Sequence, residues 1–172
     1  MSLTPQETKK LESLLARATY PLPENLFYYI ARTFPMVAIE TVIWRAPRRK
    51  HGGLKVLLLR RSPRDPFWPN LWHSPGSILR NRETFHSAFK RISKEFGASF
   101  AKTPKFVTVL NTQNSKRGHV VQLVFRCELA GQPKRGKFFP VEKLPRNIVP
   151  EHHKLIAIVT RFVQREQKTP KL

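Results

Sequence analysis

The sequence predicts an α/β layered domain preceded by a short N-terminal helical extension. Three observations predict it. Strand-like runs with β-branched residues are interspersed with runs of helical spacing, the pattern of a layered α/β fold. Apolar residues make up 40% and aromatics 10% of 172 residues, enough for one domain with a real core. The first 34 residues carry only two short helix patterns, too little to hold a core alone. The expected organisation is an extension over residues 1–34, the main domain over 35–166 and a basic tail over 167–172.

Residues 4–18 read as a helix. Thr4 is its N-cap, Pro5 takes the first helical position and Glu7 completes a capping box. Leu11, Leu14, Leu15 and Ala18 share one face, and prolines at 21 and 23 end the run. A second helix over 24–33 carries Leu26, Phe27, Ile30 and Ala31, and Phe34-Pro35 stops it. The two helices are expected to cap the main domain. Residues 37–44 alternate as a strand, 46–53 form a basic turn, and 54–60 form a second strand that pairs with the first as a hairpin. Residues 62–71 are a loop rich in Pro and aromatics. Residues 84–96 place Phe85, Ala88, Phe89, Ile92 and Phe96 at helical spacing, with Gly97 as the stop. Strands follow at 106–110 and 119–129, joined by the polar turn 111–118, then a short strand at 137–141. Val149-Pro150 opens a last helix whose buried side is Leu155, Ile156, Ile158, Val159, Phe162 and Val163. The tail from Gln167 is expected to fray.

The charge is strongly basic: 32 Lys and Arg against 11 Asp and Glu, a net +21. Residues 1–32 account for +1, so the remaining 140 carry +20 and the excess belongs to the folded body. Such a surface attracts polyanions, nucleic acid above all, although the same charge can serve solubility alone. The single cysteine, Cys127, cannot form an internal disulfide, which suits a reducing compartment. No signal-peptide core and no 18-residue apolar run is visible, so a cytoplasmic protein without a membrane partner is expected.

The motif that carries chemistry lies between Pro75 and Ala98. Residues 55–61, KVLLLRR, end a strand in arginines. Leu71-Trp72-His73-Ser74-Pro75-Gly76-Ser77 precedes a helix opened by Glu83-Thr84 and closed by Ile92, Glu95 and Gly97. This segment resembles a Nudix box, G-x5-E-x7-R-E-U-x-E-E-x-G-U with U a bulky aliphatic, and the resemblance extends over residues 36–165. It implies a Nudix-like α/β/α sandwich with a mixed β-sheet. Pro75, Gly76, Ile92 and Gly97 form the box framework, and Ser77 stands at the box glycine. The upstream end puts Glu83 on the first box glutamate. The downstream end fits one residue shorter, with Lys90 and Arg91 at R-E and Lys94 and Glu95 at E-E, so a one-residue deletion is expected near 85–87.

In that register the helix face that would carry three glutamates carries Arg91, Lys94 and Glu95. Hard divalent cations take carboxylate oxygens, and a protonated Lys or Arg has no lone pair to give. The face changes from −3 to +1. The resemblance leaves Glu95 and Glu83 as the catalytic candidates and Glu95 as the sole candidate metal ligand. Mg2+ or Mn2+ would be the cofactor only if hydrolysis persists. Arg60, Arg61, Arg91 and Lys94 are candidates to hold phosphate directly, while Glu95 is expected to pair with Arg91.

Other residues have plainer readings beside functional ones. Trp72 matches a core position. Trp68 is open between core packing and base stacking. Glu40 stands opposite an apolar strand face; a partly exposed position is expected, with a buried cleft carboxylate as the alternative. Glu151 suits the start of a helix, with a general-base role as the alternative drawn from the resemblance. His152 and His153 lack partners for zinc.

Three functions follow in order. The first is a Nudix-fold protein binding a nucleotide or other phosphorylated ligand, with weak or no metal-dependent hydrolysis. The second, ranked beside it, is a basic RNA- or ribosome-associated module. The third is an active hydrolase of nucleoside-diphosphate-linked substrates using a rearranged metal site.

Overall fold

A computed structural model describes residues 2–19, 21–46 and 53–168. The elements are α1 (Pro5–Ala16), α2 (Glu24–Thr33), β1 (Met36–Arg45), β2 (Lys55–Arg60), β3 (Trp72–His73), β4 (Gly76–Ile78), α3 (Phe85–Phe96), β5 (Lys105–Ser115), β6 (Gly118–Cys127), β7 (Lys137–Pro140) and α4 (Pro150–Lys168). The sheet runs β3-β2-β1-β6-β5, with β4 paired to β1 and β7 to β2. β1 and β6 are parallel and the other named pairs antiparallel, so the sheet is mixed as expected.

Alternation along the strands builds two cores, one on each face. Ile39, Ile43, Leu57, Leu59, Phe125 and Cys127 pack with Ala88, Phe89, Ile92 and Phe96 of α3. Val42, Val56, Leu58 and Val124 point the other way and pack with Leu155, Ile156, Val159 and Val163 of α4. The result is an α/β/α sandwich. Within α4, Ile158 and Phe162 are only half-buried, which narrows the expected apolar face.

Several expectations need correction. Thr4 and Glu7 form the capping box, but α1 buries no residue, and Leu11, Leu14 and Leu15 are exposed. The capping role belongs to α2, which buries Ala31 against β6. The hairpin of β1 and β2 exists but is registered only at Trp44–Val56 and Arg45–Lys55. The turn expected at 111–118 is mostly strand: β5 continues to Ser115 and β6 begins at Gly118. β5 lies at the edge of the sheet, so its outer positions meet water and its polar residues disguise it. Two short strands were not expected: β4 falls inside the box-like segment and β3 lies just before it. α4 extends to Lys168; the remainder of the tail expected to fray, residues 169–172, and most of the basic turn (47–52) lie outside the described residues.

The split edge of β1 positions the site. At one end β1 pairs with β2; at the other, Ala38, Ile39 and Glu40 pair with β4. Beyond Val56, β2 leaves β1 and takes β3 at Leu59 and Arg60. The parting strands leave room between the end of β2 and β4.

Candidate functional site

A cleft of about 880 Å3 occupies that room. The strand end Leu59-Arg60-Arg61, the box-like residues His73, Gly76, Ser77 and Ile78, and Glu95 of α3 line it. Arg80, Arg117 and Arg135 come from three separate loops, and Pro21, Leu22, Glu24, Phe27 and Tyr28 from the extension. Five arginines therefore line one cleft. Sequence spacing could suggest only Arg60 and Arg61 among them. Arg80, Arg117 and Arg135 carry no motif, and only the folded turns bring them together.

Arg61 and Arg117 are held in place. Arg61 donates to Asp65 Oδ2 from Nε at 2.7 Å and from Nη2 at 2.5 Å, and Arg117 approaches the same oxygen at 3.5 Å. Asp65 Oδ1 accepts from the backbone N–H groups of Phe67 and Trp68. Burial favours protonation of Asp65, but Arg61 and those N–H groups outweigh it and hold the carboxyl below its ordinary range. The Trp68 ring lies under both guanidinium groups, 5.6 Å from Arg61 and 5.0 Å from Arg117. Trp68 is 7% exposed, so it supports the arginines and has no face for a base. One carboxylate shared by two guanidinium groups leaves net positive charge facing the cleft. Arg60 is exposed and donates to the Asn70 carbonyl at 3.3 Å.

The box helix is arranged differently from its expected pairing. Arg91 makes no ion pair with Glu95 and clamps Glu83, with Nε to Oε1 at 2.8 Å and Nη2 to Oε2 at 2.7 Å. It also donates to Ser77 Oγ at 2.5 Å and to the Ile78 carbonyl at 3.1 Å. Glu83 sits in the tight turn before α3, where its own carboxylate accepts from Arg80 N, and so comes within reach of a residue two turns along the helix. The hydrogen bonds from Arg91 hold Glu83 ionised. Lys94 is exposed and lines neither this cleft nor the inner cavity below. Glu95 alone represents the box acids in the cleft, and burial raises its carboxyl above its ordinary value despite nearby Arg91 and Arg61.

The framework residues have clear structural work. Pro75 is buried, and its carbonyl accepts from Thr41 N at 2.9 Å and Thr41 Oγ1 at 2.7 Å. A Cβ on Gly76 would lie 2.3 Å from Glu40 Oε2 and 2.8 Å from the Ile39 carbonyl, so only glycine permits this approach. Ile92 is fully buried, and Gly97 ends α3 at φ +65°.

Beneath the cleft lies a small inner cavity of about 60 Å3, lined by Glu40, Ser74, Gln122, Glu151 and His152 among others. Glu40 is 8% exposed, so the buried alternative holds and the partly exposed one does not. Burial raises its pKa from 4.5 to about 8, only partly offset by Gln122, Arg117 and Arg61. Glu40 Oε2, Ser74 Oγ and Glu151 Oε2 are buried with no hydrogen-bond partner. His152 Nδ1 accepts from Ser74 N at 3.0 Å, and burial lowers its pKa to about 3. His73, which lines both cavities, is lowered by burial to about 4.

These shifts give a pH prediction. A carboxyl raised from 4.5 to about 8 stabilises the fold fully below 4.5, and that contribution is lost as pH rises through about 8. The histidines act with opposite sign: their contribution is present above 6.5 and is lost as pH falls through about 4 and 3. Thermal melts should therefore show the melting temperature dropping as pH rises from 6.5 towards 8. Glu40→Gln should flatten that alkaline limb and leave the acid limb unchanged. Parallel alkaline limbs in the two proteins would contradict the assignment.

A NUDIX domain family model matches residues 38–158, well over half of the chain. The chain belongs to the Nudix family. Similar solved structures include a mutT/nudix family protein from Listeria innocua, 16% identical with a TM-score of 0.62, over 78% of this chain and 98% of that one. A MutT NUDIX hydrolase from Burkholderia pseudomallei is 20% identical with a TM-score of 0.57, over 73% and 98%. The NUDIX domain of Shewanella oneidensis NrtR, solved with ADP ribose, is 20% identical with a TM-score of 0.56, over 92% and 98%. No curated protein matches.

A Nudix metal site needs clustered carboxylates, and this donor set does not fit one. Among the described residues no three His, Cys, Asp or Glu side chains group so as to hold a metal ion. Glu83 is engaged by Arg91, and Glu95 shares its cleft with five arginines. Nor is any described helix long and apolar enough to cross a membrane.

Proposed function

We propose that this Nudix chain binds a nucleotide or another phosphorylated ligand in the arginine-lined cleft, with weak or no metal-dependent hydrolysis. The observation that carries this reading is the convergence of Arg60, Arg61, Arg80, Arg117 and Arg135 on one cleft that holds a single box carboxylate, Glu95. Arg61 and Arg117 serve as the phosphate seat, since their guanidinium groups are already oriented by Asp65 and Trp68. Arg91 serves as framework through Glu83. A nucleoside diphosphate linked to a further group is the favoured ligand class. The NrtR domain solved with ADP ribose supports it by similarity of fold.

ADP-ribose incubated with the protein and Mg2+ or Mn2+ tests the catalytic half of this reading. We expect turnover near background and no change with Glu95→Gln. Metal-dependent turnover that Glu95→Gln abolishes would favour the active-hydrolase reading. A second reading, a basic module on RNA, is supported by the net charge of +21. Counterion release predicts RNA affinity that falls steeply with salt. The lone, buried Cys127 is in keeping with a reducing, cytoplasmic setting.

A further inference from the structure

The arginines make only part of the cleft. Leu22, Phe27 and Tyr28 line it as well, and all three precede residue 38, where the Nudix match begins. The fold fixes α2 here rather than leaving it beside the domain. Gly118 opens β6 at φ +123°, and a Cβ there would lie 2.0 Å from the Ala31 carbonyl oxygen. Only glycine lets the helix come this close to the sheet. Tyr28 stands edge-on to Phe67 of the Asp65 loop, ring centroids 4.9 Å apart, and its hydroxyl donates to Glu24 Oε1 at 2.9 Å. Phe27 lies edge-on to Tyr28 at 5.5 Å.

Both rings are half-buried and keep part of their surface in the cleft. An aromatic wall and a guanidinium wall in one cleft suit a ligand with two chemically distinct ends. Phosphate has no use for the rings, whereas the planar face of a base covers an aromatic wall more completely than the puckered face of a sugar. A nucleobase stacks on aromatic side chains whatever its identity, because every base has a π-face.

We propose that residues 22–28 of the extension form a stacking wall of the binding site, with Phe27 and Tyr28 as the residues that receive the base of the ligand. This rests on the binding reading above and adds the half of the ligand that the arginines do not explain.

Calorimetric titration with two probes, ADP and inorganic pyrophosphate, separates the two ideas. The intact chain should bind both. Phe27→Leu keeps the apolar volume but removes the ring, and should weaken ADP about fivefold or more while leaving pyrophosphate unchanged. Tyr28→Ala should act in the same direction, and Tyr28→Phe, which keeps the ring, should retain ADP affinity. Equal losses for both probes, or no loss for ADP in either ring-deleting variant, would overturn the stacking wall while leaving the phosphate seat in place. Failure of the intact chain to bind either probe would overturn both.

Discussion

Replacing Arg61 and Arg117 together by methionine is expected to weaken ADP binding by at least about a hundredfold, because each removes a charge-assisted hydrogen bond worth about 1.5–3 kcal/mol. These two are singled out among the five cleft arginines by how they are held. Asp65 and the Trp68 ring fix both guanidinium groups before a ligand arrives, so little side-chain freedom is lost on binding. Methionine keeps the length of the stem and most of its packing. Calorimetry on the single and double variants checks the effect. Lys94→Met is the companion control: Lys94 lines neither cavity, so affinity should stay within about twofold, the size of change expected of a screened surface charge. A large loss with Lys94→Met and none with the double variant would move the seat back to the box helix.

Arg91→Met is expected to lower stability by about 2–4 kcal/mol while leaving ADP affinity nearly unchanged, since it strands a partly buried carboxylate and two other acceptors. Glu83 loses both hydrogen bonds of a two-pronged pair, and its side chain is only 10% exposed. Ser77 Oγ and the Ile78 carbonyl lose their donor too. The clamp ties the turn before α3 to β4 and to the helix itself, on the side away from the Arg61–Arg117 seat, so its loss is read in stability. Urea denaturation followed by circular dichroism measures it. Unchanged stability together with a tenfold loss of ADP affinity would show Arg91 to be a ligand contact after all.

These residues show where the sequence was readable. The strands and helices that build the cores were visible because alternation in β1, the apolar run of β2 and helical spacing in α3 and α4 are local patterns that burial enforces directly. Thr4 and Gly97 were readable for a similar reason, since caps demand particular residue types, whereas Gly76 was readable only through the box resemblance. The partnership of Arg91 was not, because Glu95 is the neighbour at helical spacing while Glu83 reaches it only through the turn that precedes α3. Arg80, Arg117 and Arg135 were invisible as a group, since each sits in a different loop. Glu40 was misjudged because strand alternation tells which face a residue takes, not what covers that face; α4 and the box-like loop bury it. The leucines of α1 show the converse, a good amphipathic stripe with no residue buried behind it.

The most direct test of the central claim is a calorimetric titration of ADP-ribose into the protein in EDTA, repeated with excess Mg2+. A seat made of fixed guanidinium groups predicts saturable binding without any divalent cation, weakening as salt rises, and little gain from Mg2+. Binding that appears only with Mg2+ and is abolished by Glu95→Gln would contradict it and restore the box helix as the centre of the site.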